Sequence, residues 1–226
     1  MPALQPDNLR ERPFVGRAFL SLVVRRAHPG TGSDIWGLLW EDKDVERWWI
    51  EANEALKGTP HAVVGGVAAG FYMPQRFTKD LDFVVATADG AGLRVELLRR
   101  GWRLTGSLAN LHPPVSGLGF RTPDGHDVDV LMLPPRYARP MVNSAARNKM
   151  GGMPMATLPW LTFLKLLAGR GQDTADVSRM LGHLTDEELA PTRRLVSKYL
   201  HGHVQDLDQM IELGRLEYGR PRRKRR

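Results

Sequence analysis

Two aspartates separated by one residue, Asp80 and Asp82, stand at the head of an apolar run that ends at Val85. Side chains at positions i and i+2 of a strand point to the same face, so these carboxylates project side by side. Neighbouring carboxylates repel one another unless a cation lies between them. Mg²⁺ is commonly held by one or two carboxylates together with the phosphates of a substrate. The spacing therefore predicts metal-assisted phosphoryl chemistry.

The residues before this pair predict a place where a ligand can approach the backbone. An apolar run from His61 to Val64 is typical of a short buried strand, and the glycine pair Gly65 and Gly66 follows it. A stretch of small residues, 67–70, then leads into a short helix. Glycine lets the chain turn sharply and lets a ligand lie against the backbone. The pattern predicts a strand, a glycine turn, a helix and then the strand that carries the aspartates.

This ordered combination resembles the active-site signature of the nucleotidyltransferase fold of the DNA polymerase beta superfamily. The segments 65–68 (GGVA) and 76–82 (RFTKDLD) look most like the AbiEii and MenT-type toxins of bacterial toxin–antitoxin pairs. The resemblance covers residues 61–181 in two segments joined by a dissimilar middle. It implies an α/β nucleotidyltransferase fold with a small mixed sheet and a C-terminal helical lobe.

A second pair of alternate carboxylates, Asp127 and Asp129, follows the turn 122–125 and opens a third apolar strand. The resemblance implies that Asp129 is the third metal ligand and the base for the attacking hydroxyl, with Asp127 as a substitute or helper. The alternative is that both are exposed carboxylates at a strand start.

A lysine, Lys165, is embedded in the apolar helix predicted over 160–168. A lysine flanked by leucines is usually a surface residue whose ammonium reaches water. The resemblance implies instead that Lys165 holds nucleotide phosphates and that an Asp-x-x-Asp helix follows it. We assign Asp173 as the N-cap of that helix, and Asp176 to the active site or to pairing with Lys165.

The resemblance thus implies a complete set of site residues. The metal ligands, for Mg²⁺ or Mn²⁺, are Asp80, Asp82 and Asp129. These three are also catalytic, together with Lys165 and Asp176. The residues that bind the nucleoside triphosphate are Gly65, Gly66, Arg76 and Lys165.

The predicted elements divide the chain into four parts. They are an N-terminal helical lead-in (1–60), the catalytic core (61–155), a helical lobe (156–214) and a basic tail (215–226). In the lead-in we expect a helix over 14–27 and a second from Ser33 or Asp34 to Leu56, which is either continuous or split in two by the charged insert 41–47. The tryptophans at helical spacing in this region are expected to be core or interface residues. In the core we expect a loop at 86–90, a helix at 92–100, strands at 102–107 and 115–121, and a mobile connection over 138–155.

Composition narrows the classes of function. The net charge is +7, but residues 215–226 carry +6 of it, so the remainder of the chain is nearly neutral. The absence of cysteine excludes disulfides, thiolate zinc sites and thiol nucleophiles. No uninterrupted apolar run of membrane-spanning length occurs, and the N-terminus lacks a signal-peptide pattern, so we expect a cytoplasmic protein with no membrane partner.

For function, the resemblance implies transfer of a nucleoside monophosphate from a nucleoside triphosphate to a tRNA 3′ end, by a toxin with a cognate antitoxin partner. The basic tail is either a solvated segment or a contact to RNA phosphates. A small-molecule acceptor such as an aminoglycoside is an alternative. A second alternative is a non-catalytic module that binds RNA or protein, which Val67, in a position often Ser or Thr in the superfamily, favours and the intact aspartates oppose.

Overall fold

The computed structural model describes residues 43–73, 80–108, 111, 113–150 and 152–219, arranged as two compact units that divide between Ala156 and Thr157. The helix predicted over 14–27, the nucleotide-binding candidate Arg76 and the end of the basic tail lie outside the described residues. Each unit is built around its own core.

The first unit is a five-stranded mixed sheet with helices and a small hairpin. In chain order its elements are α1 (Lys43–Ala55), β1 (His61–Val63), α2 (Gly65–Ala69), β2 (Leu81–Ala86), α3 (Thr87–Arg99), β3 (Arg103–Ser107), β4 (Ser116–Arg121), β5 (Asp127–Leu133), α4 (Pro135–Ala145), β6 (Lys149–Met150) and β7 (Met153–Pro154). The strand order is β1-β2-β5-β4-β3, with β2 and β5 parallel and the other neighbours antiparallel. The hairpin pairs β6 with β7.

Strand β2 is buried between its neighbours because nearly every side chain along it is apolar. Leu81, Phe83, Val84 and Val85 are all inaccessible to solvent, and α2, α3 and α4 pack against the strand. A strand covered on both faces is expected to be apolar at consecutive positions rather than at alternate ones. The half-buried Asp82 interrupts this apolar run near its start.

Two sequence expectations for this unit are wrong. Of the loop expected at 86–90, Ala86 ends β2 and 87–90 form the first turn of α3. Gly90 packs so closely there that a Cβ would lie 2.4 Å from Met132 Sδ. The mobile connection expected over 138–155 contains most of α4 and the whole β6–β7 hairpin. Pro135 opens α4 at a position where a missing N–H costs nothing.

The N-terminal tryptophans were expected to be core or interface residues, and the structure describes one of them, Trp49, fully. Within the helix expected over 33–56, the described part is α1, and its Trp49 is 1% exposed. Trp102, which precedes β3, is also buried and donates its indole N–H to Glu51 of α1 at 3.0 Å. These contacts fasten α1 to the sheet unit.

The second unit is helical. Its elements are α5 (Leu158–Ala168), α6 (Gly171–Leu181), α7 (Asp186–Tyr199), a 3₁₀ turn (His201–His203) and α8 (Val204–Tyr218). Thr185 and Glu188 form a reciprocal capping box that starts α7. Helices α6 and α8 meet backbone to backbone, since a Cβ on Gly182 would lie 2.3 Å from the carbonyl carbon of Gly214.

The α/β class with a mixed sheet and a C-terminal helical lobe is therefore confirmed. The segment expected to begin a basic tail at Arg215 is still helical, because α8 continues to Tyr218. Arg215 is only 12% exposed in its side chain and pairs with Asp186 at 2.7 Å. In the part of the chain that the structure describes, no helix is both long and apolar enough to cross a bilayer.

Candidate active site

Two of the predicted metal ligands, Asp82 and Asp129, are direct neighbours on the central strands. They are partners in the parallel register of β2 with β5. Neighbouring strands lie about 4.8 Å apart, and partnered residues of a parallel pair point to the same face. Asp80, two residues before Asp82, is exposed at the start of β2. The three aspartates therefore lie at the same end of the same two strands.

The glycine turn lies directly against one of these carboxylates. Gly65 has a φ of +64°, and a Cβ built there would lie 1.7 Å from Asp82 Oδ2. The backbone is also joined here, because Val64 N–H donates to the Asp82 carbonyl at 2.9 Å. Only glycine satisfies both the left-handed backbone and the lack of space. The two halves of the predicted signature, separated in sequence, are thus in contact.

The electrostatic surroundings of Asp129 favour its protonated form. Partial burial is the largest cause that raises the pKa of this carboxyl, and the negative charges of Asp80 and Asp127 raise it further. Burial and like charges both act against ionisation. A carboxyl with a raised pKa at a strand end is a better proton acceptor at neutral pH than an ordinary aspartate.

Asp127, considered from the sequence as a substitute or helper, is instead engaged by an arginine. Arg121 Nε donates to Asp127 Oδ1 at 2.8 Å and Arg121 Nη2 donates to Oδ2 at 3.0 Å. These hydrogen bonds lower the pKa of Asp127. Both residues are partners in the β4–β5 register. The fork of the guanidinium favours a structural role for Asp127 at the strand edge.

The donor set at this end of the sheet fits a hard divalent cation by its chemistry. Three carboxylates from two adjacent strands offer oxygen ligands, and a cation would relieve the repulsion between Asp80 and Asp129. Within the described ranges, no three His, Asp or Glu side chains are already gathered around one point that could hold a metal ion. Metal binding would therefore have to draw the carboxylates together.

In the helical unit, Lys165 contacts both aspartates of the Asp-x-x-Asp helix. Its Nζ donates to Asp176 Oδ2 at 2.6 Å and to Asp173 Oδ1 at 3.2 Å, and all three side chains are at most 8% exposed. The surface position usual for such a lysine is therefore not adopted. The pairing of Lys165 with Asp176 that we offered as one alternative is present.

The capping role expected of Asp173 is wrong. The N-cap of α6 is Arg170, and Asp173 lies buried in the first turn. Arg170 Nε donates to Asp173 Oδ2 at 2.6 Å, so this carboxylate contacts two cations. An acidic residue in a first turn looks the same in sequence whether it caps the helix or binds a lysine from the preceding helix.

Comparison with known proteins gives fold similarity at low identity. No family model and no curated protein matches the chain. A solution structure of the antibiotic-resistance factor ANT(2'')-Ia is 14% identical, with a TM-score of 0.38 over 75% of this chain and 89% of that one. A crystal structure of ANT(2'')-Ia in complex with adenylyl-2''-tobramycin is 13% identical, with a TM-score of 0.39 over 75% and 94% of the two chains.

Terminal uridylyl transferase 4 from Trypanosoma brucei with bound CTP is 13% identical, with a TM-score of 0.25 over 76% of this chain and 54% of that one. These neighbours are nucleotidyltransferase-fold proteins. Because the identities and TM-scores are low, these similarities carry no argument about the function of this chain.

Sequence reasoning missed the residues that border Asp129 on its other side. Gly119 is its partner on β4, and Thr105 of β3 lies next to Gly119. The Gly-x-Gly pattern of β4 was the available signal, because glycine inside a strand often marks a close approach of another group. That signal does not say which group approaches.

Proposed function

We propose that this protein is a metal-dependent nucleotidyltransferase. It moves a nucleoside monophosphate from a nucleoside triphosphate to an acceptor hydroxyl, with the 3′ end of tRNA as the acceptor. The observation that carries the proposal is the register of Asp82 with Asp129 on parallel strands, with the Gly65 backbone directly against the Asp82 carboxylate. This arrangement joins an oxygen-ligand set to a turn at which phosphates can approach the main chain.

Each residue of the arrangement has a distinct task in this proposal. Asp80, Asp82 and Asp129 would hold Mg²⁺ or Mn²⁺, which when bound neutralises phosphate charge. Gly65 and Gly66 allow the triphosphate to lie against the backbone.

Asp129 accepts the proton of the acceptor hydroxyl as the oxygen bonds to the α-phosphorus and pyrophosphate leaves. Its raised pKa supports that assignment. Phosphate binding by Arg76 and by Lys165 stays a prediction of the sequence.

The choice of RNA as acceptor and the toxin role derive from the resemblance to the AbiEii and MenT-type toxins. The composition of the chain end adds support, since six of the last seven residues are Lys or Arg. Such a run binds the phosphates of nucleic acids without regard to sequence. A cognate antitoxin would be the protein partner.

The test is a transfer assay with purified protein, Mg²⁺ or Mn²⁺, total tRNA and each labelled nucleoside triphosphate in turn. Asp82→Asn should abolish labelling. The matched control is Asp89→Asn, which removes an aspartate beyond the opposite end of β2. Label on RNA with the parent and the control, and not with Asp82→Asn, would support the proposal and identify the nucleotide.

Two other results are informative. Labelling of an aminoglycoside in place of RNA would keep the enzyme class and overturn the acceptor. Absence of label on either acceptor, or equal labelling by Asp82→Asn, would overturn the catalytic assignment. The toxin role is tested separately by expression in bacteria, where growth inhibition that survives Asp82→Asn would show that inhibition does not come from transfer.

A further inference from the structure

We propose that Thr105 positions the acceptor, by binding the ribose hydroxyl next to the one that is attacked. The inference rests on the proposed function and adds a named residue and a named chemical feature of the acceptor. It predicts that the protein distinguishes an RNA end with two adjacent hydroxyls from an end that lacks one of them.

The sheet places Thr105 close to Asp129, and the Leu108 side chain borders the same position, with Cδ2 3.4 Å from a Cβ built at Gly119. Gly119 is the register partner of Asp129, and a Cβ at Gly119 would lie 2.5 Å from Thr105 Oγ1 and 3.6 Å from Asp129 Oδ1. The hydroxyl and the carboxylate therefore border the same position on one face of the sheet. Any other residue at position 119 would separate them.

An irregularity of the strand brings Thr105 to this place. The β3–β4 register passes from Leu104 opposite Phe120 to Gly106 opposite Gly119, so Thr105 is the extra residue of a bulge. Bulges re-aim a side chain and are frequent beside active sites. Gly106 accommodates the bend with a φ of +145°. A regular β3–β4 ladder would contain no extra residue at the position of Thr105.

The hydroxyl of Thr105 is available to a ligand. Its side chain is exposed, and across the described part of the chain Oγ1 makes no hydrogen bond. A β-branched side chain has few rotamers, so the hydroxyl is held in a limited range of directions. An exposed hydroxyl can both donate and accept a hydrogen bond, which suits recognition of another hydroxyl.

The geometry also separates the two substrates. On the β2 side of Asp129 lie Asp82 and the Gly65 turn, where the triphosphate is proposed to bind. The attacked hydroxyl must lie within hydrogen-bond reach of the base, so the acceptor approaches from the β4–β3 side. The two hydroxyls of a terminal ribose project from adjacent carbons on the same side of the ring. With one of them at Asp129, the other can reach Thr105.

The test compares three RNA acceptors that differ only in the last ribose: intact, 2′-deoxy and 3′-deoxy. Whichever deoxy end is still labelled is the comparison acceptor. The wild-type protein should prefer the intact end about 3- to 10-fold in kcat/KM, the range expected of one hydrogen bond. Thr105→Val, of similar shape but without the hydroxyl, should lose this preference through a higher KM for the intact RNA. Thr105→Ser should keep it, and the KM for the nucleotide should not change in either variant.

Affinity for the three RNA ends, measured by fluorescence anisotropy without nucleotide, gives a readout that needs no turnover. The wild-type protein and Thr105→Ser should bind the intact end more tightly, and Thr105→Val should not. Equal wild-type affinities, or an unchanged preference in Thr105→Val, would overturn the role of Thr105. If Asp82→Asn loses labelling while the Thr105 variants behave as wild type, only this inference fails. If no protein labels RNA, the proposed transfer fails, and the anisotropy then tests only whether Thr105 binds the RNA end.

Discussion

Aspartates gather in both units, but the charges around them differ. On the sheet, Asp129 is partly buried and faces the negative charges of Asp80 and Asp127, all of which raise its pKa. In the helical unit, burial also acts to raise the pKa of Asp173, yet the hydrogen bond from Arg170 and the charge of Lys165 lower it overall. The pKa of an aspartate is thus shifted in opposite directions in the two units.

This contrast separates two uses of a carboxylate. Where the protein supplies the cations, as Lys165 and Arg170 do, the ion pairs are a fixed part of the fold. Where carboxylates repel one another, the free energy of repulsion is recovered when a proton or a cation arrives. A perturbed pKa of the second kind is the stronger indication of chemistry. Three predictions test this separation, and a fourth examines a group that is buried without an ion pair.

The largest effect is expected for Asp129→Asn. The amide cannot accept a proton, so transfer should fall by about 10²- to 10⁴-fold. The free energy of unfolding should be unchanged or higher, because a repelled carboxylate is removed. Transfer assays and urea denaturation of the same preparation measure both quantities.

The control is Asp127→Asn, which breaks only a surface ion pair with Arg121. It should retain most of the transfer activity and lose at most about 1 kcal/mol of unfolding free energy. A joint loss of folding and activity in Asp129→Asn would contradict the contrast.

The converse change is Lys165→Met in the helical unit. It leaves Asp173 and Asp176 buried without their ammonium, which should cost about 3–5 kcal/mol of unfolding free energy. Arg170→Met is the matched control, because its side chain is 72% exposed and pairs with the same Asp173. This variant should lower the free energy of unfolding by at most about 1 kcal/mol. Equal losses of unfolding free energy in Lys165→Met and Arg170→Met, measured by urea denaturation, would show that burial of the cation does not decide how much stability is lost. Transfer measured well below the melting temperature tests separately whether Lys165 takes part in chemistry.

A smaller effect is the dependence of stability on pH, which should have opposite signs at the two clusters. The folded pKa of Asp129 is raised, so folded protein binds more protons and stability falls as pH rises from the unfolded pKa through the folded one. The folded pKa of Asp173 is lowered, so its contribution is present above the unfolded pKa, about 3.9, and is lost as pH falls through the folded pKa.

Unfolding free energies of the wild-type protein, Asp129→Asn and Asp173→Asn, measured across the acid range, should show each slope vanish in its own variant. Slopes of the same sign would contradict the assignment of charges.

The smallest effect is expected at His61, where burial acts without an ion pair. Burial lowers the pKa of this imidazole most strongly, the Lys149 charge adds to the lowering, and the hydrogen bond to the Thr59 carbonyl at 2.7 Å opposes it. Its stability contribution is therefore complete above the unfolded pKa, about 6.5, and declines as pH falls below that value. His61→Phe, which can keep the edge contact with Phe83, should flatten this decline in a pH series of thermal melts. An unchanged slope would show that another group titrates there.

Much of the sheet followed from the sequence because its signals are local. The alternation at Asp80 and Asp82, the glycine turn and the turn before Asp127 each depend on residues a few positions apart. The pairing of β2 with β5 is different, because it joins residues far apart in sequence. Periodicity indicates a strand and does not name its partner. The resemblance, not the pattern, selected Asp129.

The features that sequence reasoning lost depend on tertiary contacts. From the sequence alone, Gly90 predicts a loop and Asp173 predicts a helix cap. The structure instead places Met132 against Gly90 and Lys165 in contact with Asp173. The bulge at Thr105 has no signature of its own, since Thr is an ordinary strand residue. For α4, the signal was present in the buried positions Ala138, Met141, Val142 and Ala145, which have helical spacing. The glycines and methionines around them concealed it.

The close crossing of α6 and α8 has a consequence for surveys that score every substitution. A Cβ at Gly214 would lie 2.1 Å from the Ser178 carbonyl oxygen, and Gly182 is confined in the same way by Gly214. Both positions should reject even alanine, and in an activity screen they would look as intolerant as Asp82 or Asp129. Measuring the abundance of the folded protein in the same screen distinguishes positions needed for folding from positions needed for activity. Substitutions at the glycines should deplete the protein from the cell, whereas Asp-to-Asn changes on the sheet should leave its abundance intact.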